Sequence, residues 1–191
     1  HEFCSHEPAR LVGLATLSIL DIEHTVADIL KYAKLRFRGV QIPTRIKDSG
    51  YYESRYEPMW SALEETAMVV NVHTSATQGV ARTHYEGPRE VEPRKQSLGF
   101  ANKQAPAQQF LGNLILSGVF DRHPNLKVVC AEFDVGWVAN LVQQVDYWFG
   151  RASTFDAERN NNKLRPSEYF KRNVFFTFQD DRAGVLTTPV Y

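Results

Sequence analysis

Two polar side chains stand where apolar runs stop, and they are the residues of this sequence best placed to do chemistry. His73 closes the run Met68 to Val72, and Glu132 closes the run Leu126 to Ala131. A neutral imidazole and a carboxylate projecting from one rim of a sheet are the ingredients of a divalent metal site or an acid/base pair. A lone His at a strand end is more often a hydrogen-bonded structural residue. A carboxylate inside Val-Val-Cys-Ala-Glu-Phe is the stronger candidate, because it has to be paired, metal-bound or protonated. The same rim would carry Gln41 from the preceding strand and Gln179, Asp180 and Asp181 after the last one. Asp180 and Asp181 are read as caps of the segment that follows. His123 falls in a turn before a strand, on the opposite rim, and is expected to be a turn residue. His1, His6, His24 and His84 lack supporting spacing. There is no His-x-His, Cys-x-x-Cys, Gly-x-Ser-x-Gly or phosphate-binding loop, so several reaction classes lose their main support.

The elements that must position these residues alternate. Leu11 to Leu17 reads as a buried strand, and Asp21 can cap a helix through about Arg36 with Ile22, Val26, Ile29, Leu30 and Ala33 on one face. Val40 to Ile42 is a short strand stopped by Pro43. Pro58 starts a helix that turns Trp60, Leu63 and Ala67 inward. Met68 to Val72 is the next strand, and the stretch from Thr74 to Lys103 is polar without periodicity, the mark of a functional or mobile loop. A helix from about Pro106 to Phe120, a strand over Leu126 to Phe133, and a helix over Gly136 to Phe149 follow. Ser167 is expected to cap a short helix, and Val174 to Phe178 is the last strand. Five strands with helices between them and no hairpin signal imply parallel pairing with right-handed crossovers. The run after Leu17 reads Ser-Ile-Leu-Asp rather than a Gly-rich dinucleotide fingerprint, so an eight-unit barrel fits better than a doubly wound sheet. A complete barrel runs to about 250 residues, and this chain has 191.

Composition narrows the partners. Lys plus Arg and Asp plus Glu are 22 each, so no net field gathers nucleic acid or anionic lipid. No apolar stretch approaches the roughly 18 to 20 residues that cross a bilayer, and Cys4 and Cys130 make no disulfide framework. A cytoplasmic globular protein with reduced thiols is the expectation.

Several segments then carry a family likeness. Pro8 to Leu17 and Arg38 to Pro43 resemble two successive strands of amidohydrolase-related (amidohydrolase 2) barrels. Tyr56 to Trp60, Glu64-Glu65 and Val69 to His73 resemble that family's helix and metal-bearing strand. Ser117 to Lys127 is the most specific stretch, leading into Glu132 and Gly136-Trp137, and Ser167 to Phe170 before Phe175 completes the match. The branch is the one that includes aminocarboxymuconate semialdehyde decarboxylase.

The resemblance implies an α/β fold, a (β/α)8 TIM-type barrel present from about strand 3 to strand 7, in one domain over residues 1–191 truncated at both ends. It implies one divalent metal, zinc or alternatively manganese, held by a first-strand acidic-or-His-x-His pair, a fifth-strand His and an eighth-strand Asp. His73 matches the fifth-strand His. Glu132 stands where many members place a catalytic His on the sixth strand. The first-strand pair and the eighth-strand segment have no counterpart in this sequence. The implied activity is hydrolysis or non-oxidative decarboxylation of a small carboxylic or aromatic substrate; Glu132 is expected in acid/base work or in a further ligand position, and Trp60, Gln41 and the Tyr51-Tyr52 loop are expected to wall the pocket. Homodimerisation follows from family habit. A catalytically inactive barrel fragment and a metal-free small-molecule binder remain the alternatives.

Overall fold

The computed structural model describes residues 1–46, 49–74, 77–78, 102–152 and 162–187. A short helix α1 (Glu2–Ser5) precedes strand β1 (Leu14–Thr16), helix α2 (Ile22–Lys34), and strands β2 (Gly39–Ile42) and β3 (Arg45–Ile46). Helix α3 (Glu57–Glu65), strands β4 (Val69–His73) and β5 (Thr77–Gln78), and helices α4 (Ala105–Leu116) and α5 (Val119–Arg122) follow. Strand β6 (Val128–Ala131), helices α6 (Val138–Ala152) and α7 (Pro166–Asn173), strand β7 (Val174–Phe176) and helix α8 (Arg182–Thr187) complete the described chain.

The main sheet has five strands in the order β1-β2-β4-β6-β7, and every pairing is parallel. Strands neighbour one another in the order in which the chain makes them, as a barrel wall requires and a doubly wound sheet does not. The small β3-β5 pair, also parallel, stands apart; two residues per strand are too few for a periodic signal.

Local chemistry explains the boundaries. The Asp21 carboxylate accepts the His24 N–H at 3.0 Å and starts α2. Pro58 sits in the first turn of α3, where its missing N–H costs nothing. The expected helix over Pro106 to Phe120 divides into α4 and α5, because Gly118 adopts φ 73° between them. That left-handed conformation is open to glycine without steric cost. Ser167 is not the cap expected of α7: it lies inside the helix, and Glu168 accepts the Arg165 N–H at 2.8 Å instead. Ala67 also departs from expectation, lying beyond the end of α3, exposed, at φ 52°. Cys4 and Cys130 are free thiols, and burial pushes the Cys130 thiol up.

The two faces of the sheet differ sharply. Ala15, Val40, Val70, Val128 and Val174 fall in one register row, and all are buried in the core. The next row, Thr16, Gln41, Asn71, Val129 and Phe175, lies on the opposite face, since side chains alternate along a strand. Here Thr16 is exposed, Gln41 and Val129 are half-buried, Phe175 is 50% exposed, and Asn71 in the middle of the row is buried. The same alternation puts His73, two residues beyond Asn71, on this open face.

Candidate functional site

Parallel strands end together, so the carboxyl ends of β4, β6 and β7 make one rim. His73 is the last residue of β4 and is in register with Ala131, the last of β6. Glu132 follows directly, and its Oε2 lies 3.1 Å from His73 Nε2, with the two side chains 31% and 43% exposed. The two residues singled out by spacing are therefore brought into contact. They stay open enough to exchange protons or ligands with solvent.

Glu132 is held there by an uncommon backbone. It adopts φ 65° and Asp134 adopts φ 60°, a left-handed conformation that costs a non-glycine residue roughly 1–2 kcal/mol. This turns the chain sharply off β6. The Glu132 N–H donates to Thr177 Oγ1 at 2.9 Å, and the Gln179 N–H donates to Asp134 Oδ1 at 3.0 Å. Lys103 reaches Asp134 Oδ2 and Gln179 Oε1, each at 2.8 Å. Asp181 accepts the Gly184 N–H at 2.7 Å, so it caps α8 as expected from its position. The same carboxylate accepts from Val135 and Gly136, both at 2.6 Å. Burial works against the Asp181 charge, but these three N–H groups outweigh it, with Lys103 adding to them, and its pKa lies below the usual carboxylate value.

A cavity of about 260 Å³ opens beside this turn, walled by Phe133 and Trp137 with Lys103, Asp134 and Asp181 among its polar lining. Neither His73 nor Glu132 lines it, so the geometry of the pair, on the open sheet face, is the better guide to chemistry. Gln41 lies on that face, in register with Asn71. Trp60, expected to wall a pocket, is placed elsewhere. It is fully buried on α3, 5.6 Å from the Tyr51 ring, because the inward stripe of an amphipathic helix covers the closed face of the sheet. Asn71 escaped the sequence reading, since a lone Asn within an apolar strand carries no signal of which face it takes. The polar stretch from Thr74 lies largely outside the described residues, as does His84.

The opposite rim holds the other histidine cluster. His123 is 6% exposed, with Nε2 3.1 Å from Glu57 Oε2 and Nδ1 3.3 Å from Glu64 Oε2. Glu57 also pairs with Arg122 at 2.6 Å, and Glu64 Oε1 accepts the Asn125 N–H at 2.6 Å. Burial alone would raise the Glu57 pKa; the hydrogen bonds from Arg122 and His123 reverse that and hold it below its ordinary value. His123 thus has a structural role at the amino ends of the strands, and its carboxylate partners were visible only once α3 was packed.

The donor types at the carboxyl rim, one imidazole nitrogen and one carboxylate oxygen, suit a divalent ion such as zinc or manganese. Among the described residues no group of three or more His, Cys, Asp or Glu is disposed to hold a metal. No helix among the described residues is long and apolar enough to cross a membrane.

A family model described as Amidohydrolase matches residues 2–185. The gamma-resorcylate decarboxylase of Rhodococcus jostii (strain RHA1) is 26% identical over 189 residues, covering 92% of this chain and 54% of the relative. The crystal structure of 5-carboxyvanillate decarboxylase LigW from Sphingomonas paucimobilis superposes with a TM-score of 0.67 at 24% identity, covering 92% of this chain and 50% of that one. The manganese-bound 5-carboxyvanillate decarboxylase LigW2 from Novosphingobium aromaticivorans gives a TM-score of 0.69 at 20% identity, over 93% and 50% of the two chains. The chain therefore spans about half the length of the relatives it matches, and its parallel sheet is part of their barrel.

Proposed function

The chain belongs to the amidohydrolase family, and from that membership we propose that it contributes the central wall and two working residues of a metal-dependent, non-oxidative decarboxylase of small aromatic carboxylates. The observation that carries this reading is the 3.1 Å contact of His73 Nε2 with Glu132 Oε2 at the carboxyl rim, where barrel enzymes keep their active sites. The aromatic acids in the names of the similar decarboxylases supply the substrate class. Hydrolysis on the same scaffold is the neighbouring alternative.

His73 would hold a divalent ion, zinc or manganese, through its ring nitrogen. When bound, that ion supplies a Lewis acid that polarises a substrate oxygen. Replacing an aromatic carboxylate by hydrogen breaks one C–C bond, releases CO2 and requires a proton at the ring carbon. Glu132 would deliver that proton, a role supported by its 43% exposed side chain, which is open to solvent for its replacement. Gln41, on the same open face two strand positions below the rim, is a candidate to orient the substrate. The protein is further proposed to be cytoplasmic and, by family habit, a homodimer, with no nucleic-acid partner.

One observation favours a second reading, that the chain by itself is catalytically silent: among the described residues the rim offers no group of three metal donors. Metal content per chain after purification without chelator, with His73→Ala as control, separates the readings. Near-stoichiometric metal that disappears in the variant, together with turnover of an aromatic carboxylate, supports the decarboxylase. Absence of metal from both proteins sinks it for this chain, and ligand binding indifferent to chelator would favour a metal-free binder.

A further inference from the structure

Glu132 sits at the start of a turn that its own sequence does not favour, with left-handed backbone at Glu132 and again at Asp134. What holds the turn comes almost wholly from the segment after β7. Thr177 takes the Glu132 N–H, the Gln179 N–H is bound by Asp134, and Asp181 takes the N–H groups of Val135 and Gly136. Asp181 is the anchor of this set, since its other oxygen is fixed by the Gly184 N–H at 2.7 Å. One carboxylate therefore ties the backbone leading into α6 to the start of α8. The approach is so close that a Cβ at Gly184 would meet Asp181 Oδ2 and Val135 Cγ2 at 2.4 Å, and only glycine leaves room for it.

We propose that Asp181 is a positioning residue that acts through Glu132: by clamping Val135 and Gly136 it fixes the left-handed turn and so keeps the Glu132 carboxylate against His73. The functional consequence rests on the decarboxylase reading, but the clamp itself does not. Without the clamp, the turn keeps the Thr177–Glu132 and Gln179–Asp134 hydrogen bonds but loses the hold on Val135 and Gly136, and it can relax toward ordinary backbone angles. The Glu132 side chain then swings off the rim even though the sheet beneath it is intact.

The test is a comparison of the His73 ring signals in long-range 1H–15N spectra of the full chain. In the parent, Glu132→Gln should shift these signals, because it changes the group 3.1 Å from Nε2. Asp181→Asn retains the shape and one acceptor oxygen, so the fold should survive. It should reproduce that shift, and adding Glu132→Gln to it should produce no further change, the non-additivity expected of residues acting as one unit. Metal affinity, read separately by Mn2+ water-proton relaxation, should fall about tenfold in Asp181→Asn and no further in the double variant. Should the parent bind no metal, the decarboxylase reading fails while the ring signals still decide the clamp. Parent-like His73 signals in a folded Asp181→Asn chain with a lowered melting temperature would overturn the proposal and leave Asp181 a helix cap only. If Asp181→Asn does not fold, Asp181→Glu, which keeps both oxygens on a longer arm, is read by the same criterion.

Discussion

The two ends of the sheet each bring a histidine against glutamate, and they treat it in opposite ways. At the amino ends, His123 is almost sealed, with both ring nitrogens against carboxylates that are themselves tied to Arg122 and to the Asn125 backbone. At the carboxyl ends, His73 and Glu132 touch at 3.1 Å but keep 31% and 43% of their side-chain surface in solvent. Burying paired charges makes each partner costly to remove. Leaving a pair exposed makes it worth little to stability but keeps both groups available to a ligand. The same residue types are thus sealed at one rim and solvent-exposed at the other, and burial makes the difference.

Four changes would break or sharpen that contrast. Glu132→Gln, placed in a longer family member carrying this rim, should lower kcat for an aromatic carboxylate by roughly 10²- to 10⁴-fold, the usual weight of a lost general acid. Urea unfolding of the same variant should hardly move, and undiminished turnover would remove Glu132 from the chemistry. His123→Ala should act the other way round. It leaves Glu57 and Glu64 short of a partner and should cost about 2 kcal/mol in urea unfolding; no measurable loss would mean the amino rim is not a brace.

Acid should find the same weakness. The Glu57 pKa is held below 4.5 in the folded chain, so the stability tied to its charge is present above that value and is lost as pH falls through the lowered one. Asp181, held below 3.8, behaves alike at lower pH. In Glu57→Gln the fall in melting temperature between about pH 5 and pH 3 should be shallower than in the parent; parallel curves would deny Glu57 that share. The smallest effect belongs to His73→Ala, which should change unfolding stability by less than about 0.5 kcal/mol because the pair it breaks is exposed. A loss as large as that of His123→Ala would erase the distinction between the rims.

Much of this arrangement was legible before folding was considered. The strands around Val40, Val70 and Val129 were readable because buried parallel strands are continuous apolar runs. Asp21 and Pro58 announced their helices through cap chemistry. Glu132 was legible because a carboxylate ending such a run needs a partner, His73 less so because a lone His there is more often structural, and the structure does set them side by side. Trp60 misled, since an aromatic in an amphipathic helix gives no hint of whether its stripe faces the core or a pocket. The Glu57–His123–Glu64 cluster was illegible for a simpler reason: His123 is 59 and 66 positions from Glu64 and Glu57 and meets them only when α3 lies beside the start of β6.

Sequence alone therefore determined the order of the five main strands and the principal helices between them, their parallel pairing and the two residues at the strand ends, because periodicity and caps act over a few neighbouring residues. Tertiary structure decided which face of the sheet stays open, which histidine is sealed, and the left-handed turn that aims Glu132. Those features depend on β4, β6 and β7 lying in register and on Asp181 reaching back to the turn after β6, contacts that no local stretch of chain can encode.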